Sequence, residues 1–240
     1  MLMRLPTSVS EAQEYLTEGA VPVGGATLVW AVWQRDGFPD HAMSLRNLPE
    51  ANRIEAETLG AAVVLNRIDD RVPEVLHRAA STVGTGAVRR TATVGGNIVG
   101  STLRCLLPAA LVLDARAVIL EPEGVTETDL GEVLAKRQLL LSLRWHTPIT
   151  SNYVKAAAEP GGPSPLVVAA ALHAVAGGGA LLRVAVRFDD EVFSENVSHH
   201  GSADETLSTL RRGFLGWLPA QAQELVDRQV TGLVSRPSGR

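Results

Sequence analysis

Cysteine is almost missing from this chain: Cys105 is the only one in 240 residues. A single thiol excludes an intrachain disulfide and any cysteine-held iron–sulfur cluster made by this chain alone. Lying among Leu103, Leu106 and Leu107, it reads as a small buried hydrophobe. Excess charge is missing too, with 22 Lys+Arg against 26 Asp+Glu and a net charge of −4. That balance gives no electrostatic case for nucleic acid. No run approaches the roughly 20 uninterrupted apolar residues of a membrane span. The opening Met1-Leu2-Met3-Arg4-Leu5-Pro6 has no signal-peptide apolar region. The expectation is a cytoplasmic protein that engages neither nucleic acid nor membrane. No Walker-type phosphate loop, Gly-x-Gly-x-x-Gly fingerprint or Gly-x-Ser-x-Gly nucleophile context is present. His199-His200 lacks a nearby Cys or a His at helical spacing, so no metal site is expected. No residue stands out as catalytic.

What the chain does have is two glycine pairs, each after a short apolar run. The first is Pro22-Val23-Gly24-Gly25-Ala26-Thr27-Leu28, the second Thr93-Val94-Gly95-Gly96-Asn97-Ile98. Such pairs suggest strands ending in tight turns, where missing Cβ atoms permit positive φ and let an anion approach the backbone. Two turns about 70 residues apart can close on one ligand, with backbone N–H groups donating to a diphosphate. Thr93 and Asn97 then have two readings, hydrogen bonding to phosphate or ribose, or stabilising their own turn. Arg89 and Arg90 either offset diphosphate charge or are surface residues.

The pattern predicts a mixed α+β chain in three segments: 1–55, 56–147 and 148–240. In the first, Ser8 or Ser10 caps a helix stopped by Gly19, 21–23 is a strand, and 28–33 is a buried helix. In the second, 59–65 is a buried strand and 72–83 a helix with apolar residues at Val72, Val75, Leu76, Ala79, Ala80 and Val83. A buried helix over 106–113, strands over 117–120 and 139–145, and a capped helix at 128–134 complete it. In the third, Pro160-Gly161-Gly162-Pro163 is a loop, 166–175 an Ala-rich apolar run and 181–188 an alternating strand. Two terminal helices, 207–218 and 220–234, flank Pro219.

Within that frame, Gly84-Thr85-Gly86-Ala87-Val88-Arg89-Arg90-Thr91-Ala92-Thr93-Val94-Gly95-Gly96-Asn97-Ile98 resembles the central signature of the FAD-binding subunit of molybdenum hydroxylases. That group comprises the medium subunit of carbon monoxide dehydrogenases and the flavin domain of xanthine dehydrogenases. Val23-Gly24-Gly25-Ala26-Thr27-Leu28 resembles the family's first glycine turn, Leu59-Gly60-Ala61-Ala62 its Ile-Gly-Ala strand, and Leu111-Val112-Leu113-Asp114-Ala115 the helix end that follows the second turn. Val154-Lys155, the 166–175 run and Arg183 resemble the start of its C-terminal domain.

The resemblance implies an FAD-binding PCMH-type fold: two α+β subdomains holding FAD, then a small C-terminal α+β domain with an antiparallel sheet. It implies that both glycine turns wrap the FAD diphosphate through backbone N–H groups, at Val23, Gly24, Gly25, Ala26, Thr27, Leu28, Thr93, Val94, Gly95, Gly96 and Asn97. Lys155 falls where the family often places a lysine near the flavin. Iron–sulfur and molybdenum-cofactor subunits on separate chains are the implied partners, with a homodimer as the other arrangement. The implied role is electron transfer through flavin. A stand-alone relative, either a pathway-specific flavoenzyme or a non-redox binding or assembly protein, is the alternative. The sequence departs from the family's polar positions at Ala26, Val64 and Leu106, and 118–155 is shorter than usual.

Overall fold

The computed structural model describes residues 1–101, 103–157 and 164–235. It mixes helices with parallel and antiparallel sheets. The chain divides into two compact units, each assembled from separate stretches. The first takes Met1–Val72, Val83–Arg104 and Ala115–Trp145, the second Pro73–Thr82, Cys105–Asp114 and His146–Arg240.

The first unit holds two sheets. Strands β1 (Leu2–Arg4), β2 (Val21–Pro22) and β3 (His41–Met43) form a parallel sheet in the order β1-β3-β2. Helix Val9–Thr17 links β1 to β2, and helix Val29–Asp36 links β2 to β3. Ser8 is the cap of the Val9–Thr17 helix: its hydroxyl accepts the Glu11 N–H at 3.2 Å, while Glu11 Oε2 accepts the Thr7 N–H at 2.7 Å. Strands β4 (Ile54–Glu55), β5 (Thr58–Gly60), β6 (Arg116–Glu121), β7 (Gly124–Asp129) and β8 (Leu140–Arg144) form an antiparallel sheet in the order β4-β5-β8-β6-β7. Ala12, Met43, Leu45, Leu48, Leu120 and Leu141 pack in one core between helix and sheets.

Two expectations change here. The strand expected over 59–65 ends at Gly60. A Cβ on Gly60 would overlap the Ala51 carbonyl and stand 2.7 Å from Asn52 N, so the backbone lies against a neighbouring turn. The chain then leaves the sheet: the Ala62 N–H goes to Ala51 O at 2.8 Å, and the carbonyls of Ala61 and Val63 turn to serve residues 94 and 95. The helix expected over 28–33 forms at Val29–Asp36, but it is not buried; none of its residues is enclosed. Leu28, Trp30, Val32 and Phe38 each keep more than two-fifths of their surface in solvent. The rings of Trp30 and Trp33 pack on Phe38, with centroids 5.3 and 6.1 Å away. Apolar residues occur on several sides of this helix, so they cannot all turn inward on one core stripe.

The second unit is built on an antiparallel sheet of β9 (Thr150–Lys155), β10 (Val167–Ala174), β11 (Ala180–Phe188) and β12 (Glu191–His199), in the order β12-β11-β10-β9. Side chains alternate across a strand. Val168, Ala170 and Leu172 accordingly join the core made with Leu210 of helix Ala203–Arg212 and Val226 and Val230 of helix Ala220–Val234. Val167, Ala169 and Ala171 point the other way and are equally buried. Helices Glu74–Ser81 and Leu107–Val112, from the middle of the sequence, pack against β9, β10 and β11. The helix expected over 207–218 stops at Arg212; Gly213 breaks it, and Phe214–Trp217 forms a 3-10 turn. The loop expected at 160–163 lies outside the described residues. Among the described residues, no helix is long and apolar enough to cross a membrane.

Candidate functional site

The first glycine turn lies at the carboxyl end of β2, the end of parallel strands where open α/β sheets receive ligands. The Val23 N–H still belongs to the sheet, donating to Met43 O at 2.8 Å. From Gly24 onward that pattern stops. The N–H groups of residues 24 to 29 donate to no acceptor among the described residues, and the next, on Trp30, closes a turn onto Ala26 O at 3.1 Å. A run of orphan N–H groups leading into the first turn of a helix is the arrangement that binds phosphate: the donors point outward and the helix dipole favours negative charge. Gly24, Thr27 and Leu28 are exposed, so this cradle is open to a ligand.

Positive φ falls where the sequence did not place it. Neither Gly24 nor Gly25, nor Gly95 nor Gly96, has positive φ; Ala26 does, at +56°. A left-handed residue within such a run curls successive N–H groups into a concave nest. On an L-residue with a Cβ this conformation costs about 1–2 kcal/mol. Ala26→Gly is therefore expected to make the protein about 1 kcal/mol more stable, once the larger unfolded-state entropy of glycine is set against the strain. A thermal melt checks it, and a lower melting temperature would mean that any strain at Ala26 is smaller than the entropy cost of glycine.

The glycines serve close approach instead. A Cβ on Gly25 would overlap the carbonyl of Thr91 and stand 2.9 Å from Ala92 N, and one on Gly24 would overlap Thr93 Oγ1. The stretch just before the second glycine pair therefore lies directly against the first turn, and the structure brings the two signature motifs together within one unit.

The second turn differs from what the resemblance implies. Its N–H groups are already used: Val94 to Val63 O at 3.0 Å, Gly95 to Ala61 O at 2.9 Å, Gly96 to Thr93 Oγ1 at 3.2 Å and Asn97 to Thr93 O at 2.9 Å. Thr93 also pairs with Val64 in an isolated antiparallel bridge. Thr93, Val94 and Asn97 are buried. This turn, continued by a π-helical turn at Gly96–Gly100, braces the first turn and offers no N–H of residues 94 to 97 to a phosphate. Two of those donors go to the carbonyls of Ala61 and Val63, which were not singled out as part of the site in the sequence. Their only signal was the Leu59-Gly60-Ala61-Ala62 stretch.

The remaining candidates have structural partners. Arg89 Nη1 donates to Val83 O at 3.0 Å and Gly84 O at 2.9 Å, closing its own loop. Lys155, in the second unit, donates from Nζ to Thr82 O at 2.9 Å. Beside it, Tyr153 has its hydroxyl 3.3 Å from Thr82 Oγ1, and burial pushes its pKa up to about 12. Cys105 is buried, as expected, with Arg187 Nη1 3.8 Å from its sulfur. Leu106 is fully buried at the start of helix Leu107–Val112. His199 Nδ1 lies 3.0 Å from Thr206 Oγ1 and ties β12 to the following helix. Among the described residues no group of three or more His, Cys, Asp or Glu is placed to hold a metal.

The family described as FAD binding domain in molybdopterin dehydrogenase matches residues 3–143, more than half of the chain and both glycine turns. The chain belongs to this family. Comparison with curated proteins found no match. Solved structures share the fold at 18% identity. Quinoline 2-oxidoreductase from Pseudomonas putida 86 superposes with a TM-score of 0.73 over 97% of this chain and 96% of that one. Carbon monoxide dehydrogenase from Oligotropha carboxidovorans gives 0.70 over 98% of each. The enzyme from Hydrogenophaga pseudoflava gives 0.67 over 95% of each. For an FAD-binding domain of this family, the cradle at residues 24 to 29 fits the cofactor's most charged part. It offers unpaired N–H donors, backbone bared by glycine and a helix start facing an anion.

Proposed function

We propose that this chain is a flavin-carrying electron-transfer subunit of a molybdenum hydroxylase, holding FAD by its diphosphate at residues 24 to 29. The observation that carries the reading is the unbroken run of orphan N–H groups there, held in place by Thr91 and Thr93 of the second turn. When bound, FAD supplies the redox chemistry, accepting electrons and passing them on. The chain's own residues bind and orient. The N–H groups of Gly24, Gly25, Ala26, Thr27, Leu28 and Val29 would meet the diphosphate, Val23 anchors the turn to the sheet, and Thr93, Val94, Gly95, Gly96 and Asn97 form the brace. Lys155 is the further candidate toward the flavin, and its ammonium is held by the Thr82 carbonyl.

Iron–sulfur and molybdenum-cofactor subunits on separate chains are the proposed partners. The uncovered helix Val29–Asp36 supports this, because Leu28, Trp30, Val32 and Phe38 leave large apolar side chains exposed there, as docking faces do. The sheets support the proposed division into 1–55, 56–147 and 148–240, each staying within one segment apart from Ile54–Glu55, while 73–82 and 105–114 of the middle segment pack with the third.

The test is a visible absorption spectrum of the purified protein, before and after incubation with FAD and gel filtration. A retained flavin band that dithionite bleaches is expected. A colourless protein that takes up no FAD overturns the reading.

A further inference from the structure

Both glycine pairs converge on one hydroxyl. Thr93 is only 6% exposed, and its Oγ1 accepts the Gly96 N–H at 3.2 Å. A Cβ on Gly96 would stand 3.1 Å from that same oxygen, and a Cβ on Gly24 would overlap it. The backbone of Thr93 is pinned as well, by the bridge to Val64 and by its carbonyl, which accepts the Asn97 N–H at 2.9 Å. The Thr93 oxygen is therefore wedged between the two turns, held by a donor from one and pressed by the Cα of the other. A β-branched side chain has few χ1 choices, so a pinned backbone leaves the oxygen little freedom to move.

We infer that Thr93 is a positioning residue. Its hydroxyl sets the separation of the two glycine turns, and so the aim of the N–H groups of residues 24 to 29. The inference rests on the reading that those N–H groups hold the FAD diphosphate. A hydroxyl carries one proton and two lone pairs. Here one lone pair is taken by Gly96, and Gly24 closes the side facing the first turn. The second turn has no free N–H among residues 94 to 97 to add.

The experiment compares wild type, Thr93→Ser and Thr93→Val by three readouts. These are FAD affinity from flavin fluorescence, the melting temperature of the FAD-free protein, and hydrogen exchange at the Gly96 amide. The serine variant keeps the oxygen and should bind FAD within about threefold of wild type. The valine variant puts a methyl where the oxygen was. It should bind about 10- to 100-fold more weakly, melt lower without FAD and exchange the Gly96 proton faster. If the valine variant does not fold, Thr93→Ala removes the oxygen without adding bulk and should show the same three losses.

A valine variant with wild-type affinity would overturn the inference. So would an affinity loss with melting and Gly96 exchange unchanged, which would make Thr93 a direct phosphate ligand. A serine variant as poor as valine would assign the effect to the methyl group and overturn it too. Failure of the wild type to bind FAD would sink the cofactor reading alone, since the FAD-free measurements still report whether Thr93 joins the turns.

Discussion

Gly25→Ala abolishes FAD binding and lowers the melting temperature by about 6–12 °C. The added Cβ would overlap the Thr91 carbonyl and crowd Ala92 N at 2.9 Å. Both obstacles are backbone, held by the Thr91 N–H to Val88 O and the Ala92 N–H to Val88 O at 3.0 and 2.8 Å. No rotamer change relieves such an overlap, so the two turns must part. Overpacking of this kind costs about 3 kcal/mol or more, and in a domain of this size each kcal/mol shifts melting by about 2–4 °C. Parting the turns also re-aims the donors of residues 24 to 29, which is why affinity is lost with stability. Gly100→Ala is the control, because a Cβ there meets nothing within 4 Å and its φ is not positive. It should bind FAD normally and melt no lower. Equal behaviour of the two variants would show that the turns are not in close contact.

Leu28→Asp should move stability and affinity in opposite directions. Leu28 is the N-cap of helix Val29–Asp36, supplies no capping hydrogen bond and is 49% exposed. The backbone of Leu28 is helical (φ −108°, ψ −46°), so an aspartate there acts chiefly by complementing the helix dipole, a gain of about 0.3–1 kcal/mol. The FAD-free protein should melt higher. The same carboxylate lies within the proposed diphosphate cradle, where like charges a few ångströms apart repel by more than 1 kcal/mol at a protein surface. FAD affinity should fall at least tenfold, and added salt should recover part of the loss. Leu28→Asn is similar in size without the charge, so it should gain little stability and lose less affinity. Differential scanning fluorimetry and FAD titration read the two effects separately. If aspartate and asparagine bind FAD alike, no anion sits at this helix start.

The stretches legible in the sequence were those whose cause is local. Ser8 or Ser10 signals a helix start, which Ser8 supplies, the spacing of Val75, Leu76, Ala79 and Ala80 signals one buried helix face, and Pro219 separates the terminal helices; all three appear. The glycine turns were legible as tight passages, and at Gly24 and Gly25 no side chain can stand where the chain passes. Their division of labour was not. Whether an N–H is free depends on where remote carbonyls lie, and Ala61 and Val63 reach the second turn only because Gly60 lets the chain leave its strand against Ala51. The positive φ at Ala26 was hidden for a related reason: alanine carries no local preference for that conformation, so its surroundings impose it. The Val29–Asp36 helix was misjudged as buried because apolar composition records that a surface seeks cover, not whether this chain provides it. β12 was missed because an edge strand carrying Glu191, Ser194, Glu195, Asn196 and Ser198 lacks the apolar alternation that marked β11.

The uncovered helix beyond the cradle also has an optical consequence. Trp30 and Trp33 are half of the chain's four tryptophans, and the Trp30 N–H closes the turn onto Ala26 itself. Trp145, by contrast, is buried with its indole N–H on Ala56 O. The protein thus carries a first group of emitters, Trp30 and Trp33, one helical turn from the cradle, a shielded emitter elsewhere in the same unit, and the 91% exposed Trp217 in the second unit. An oxidised flavin bound at the cradle would drain the first group by energy transfer, so occupancy becomes readable from intrinsic emission without labelling the protein.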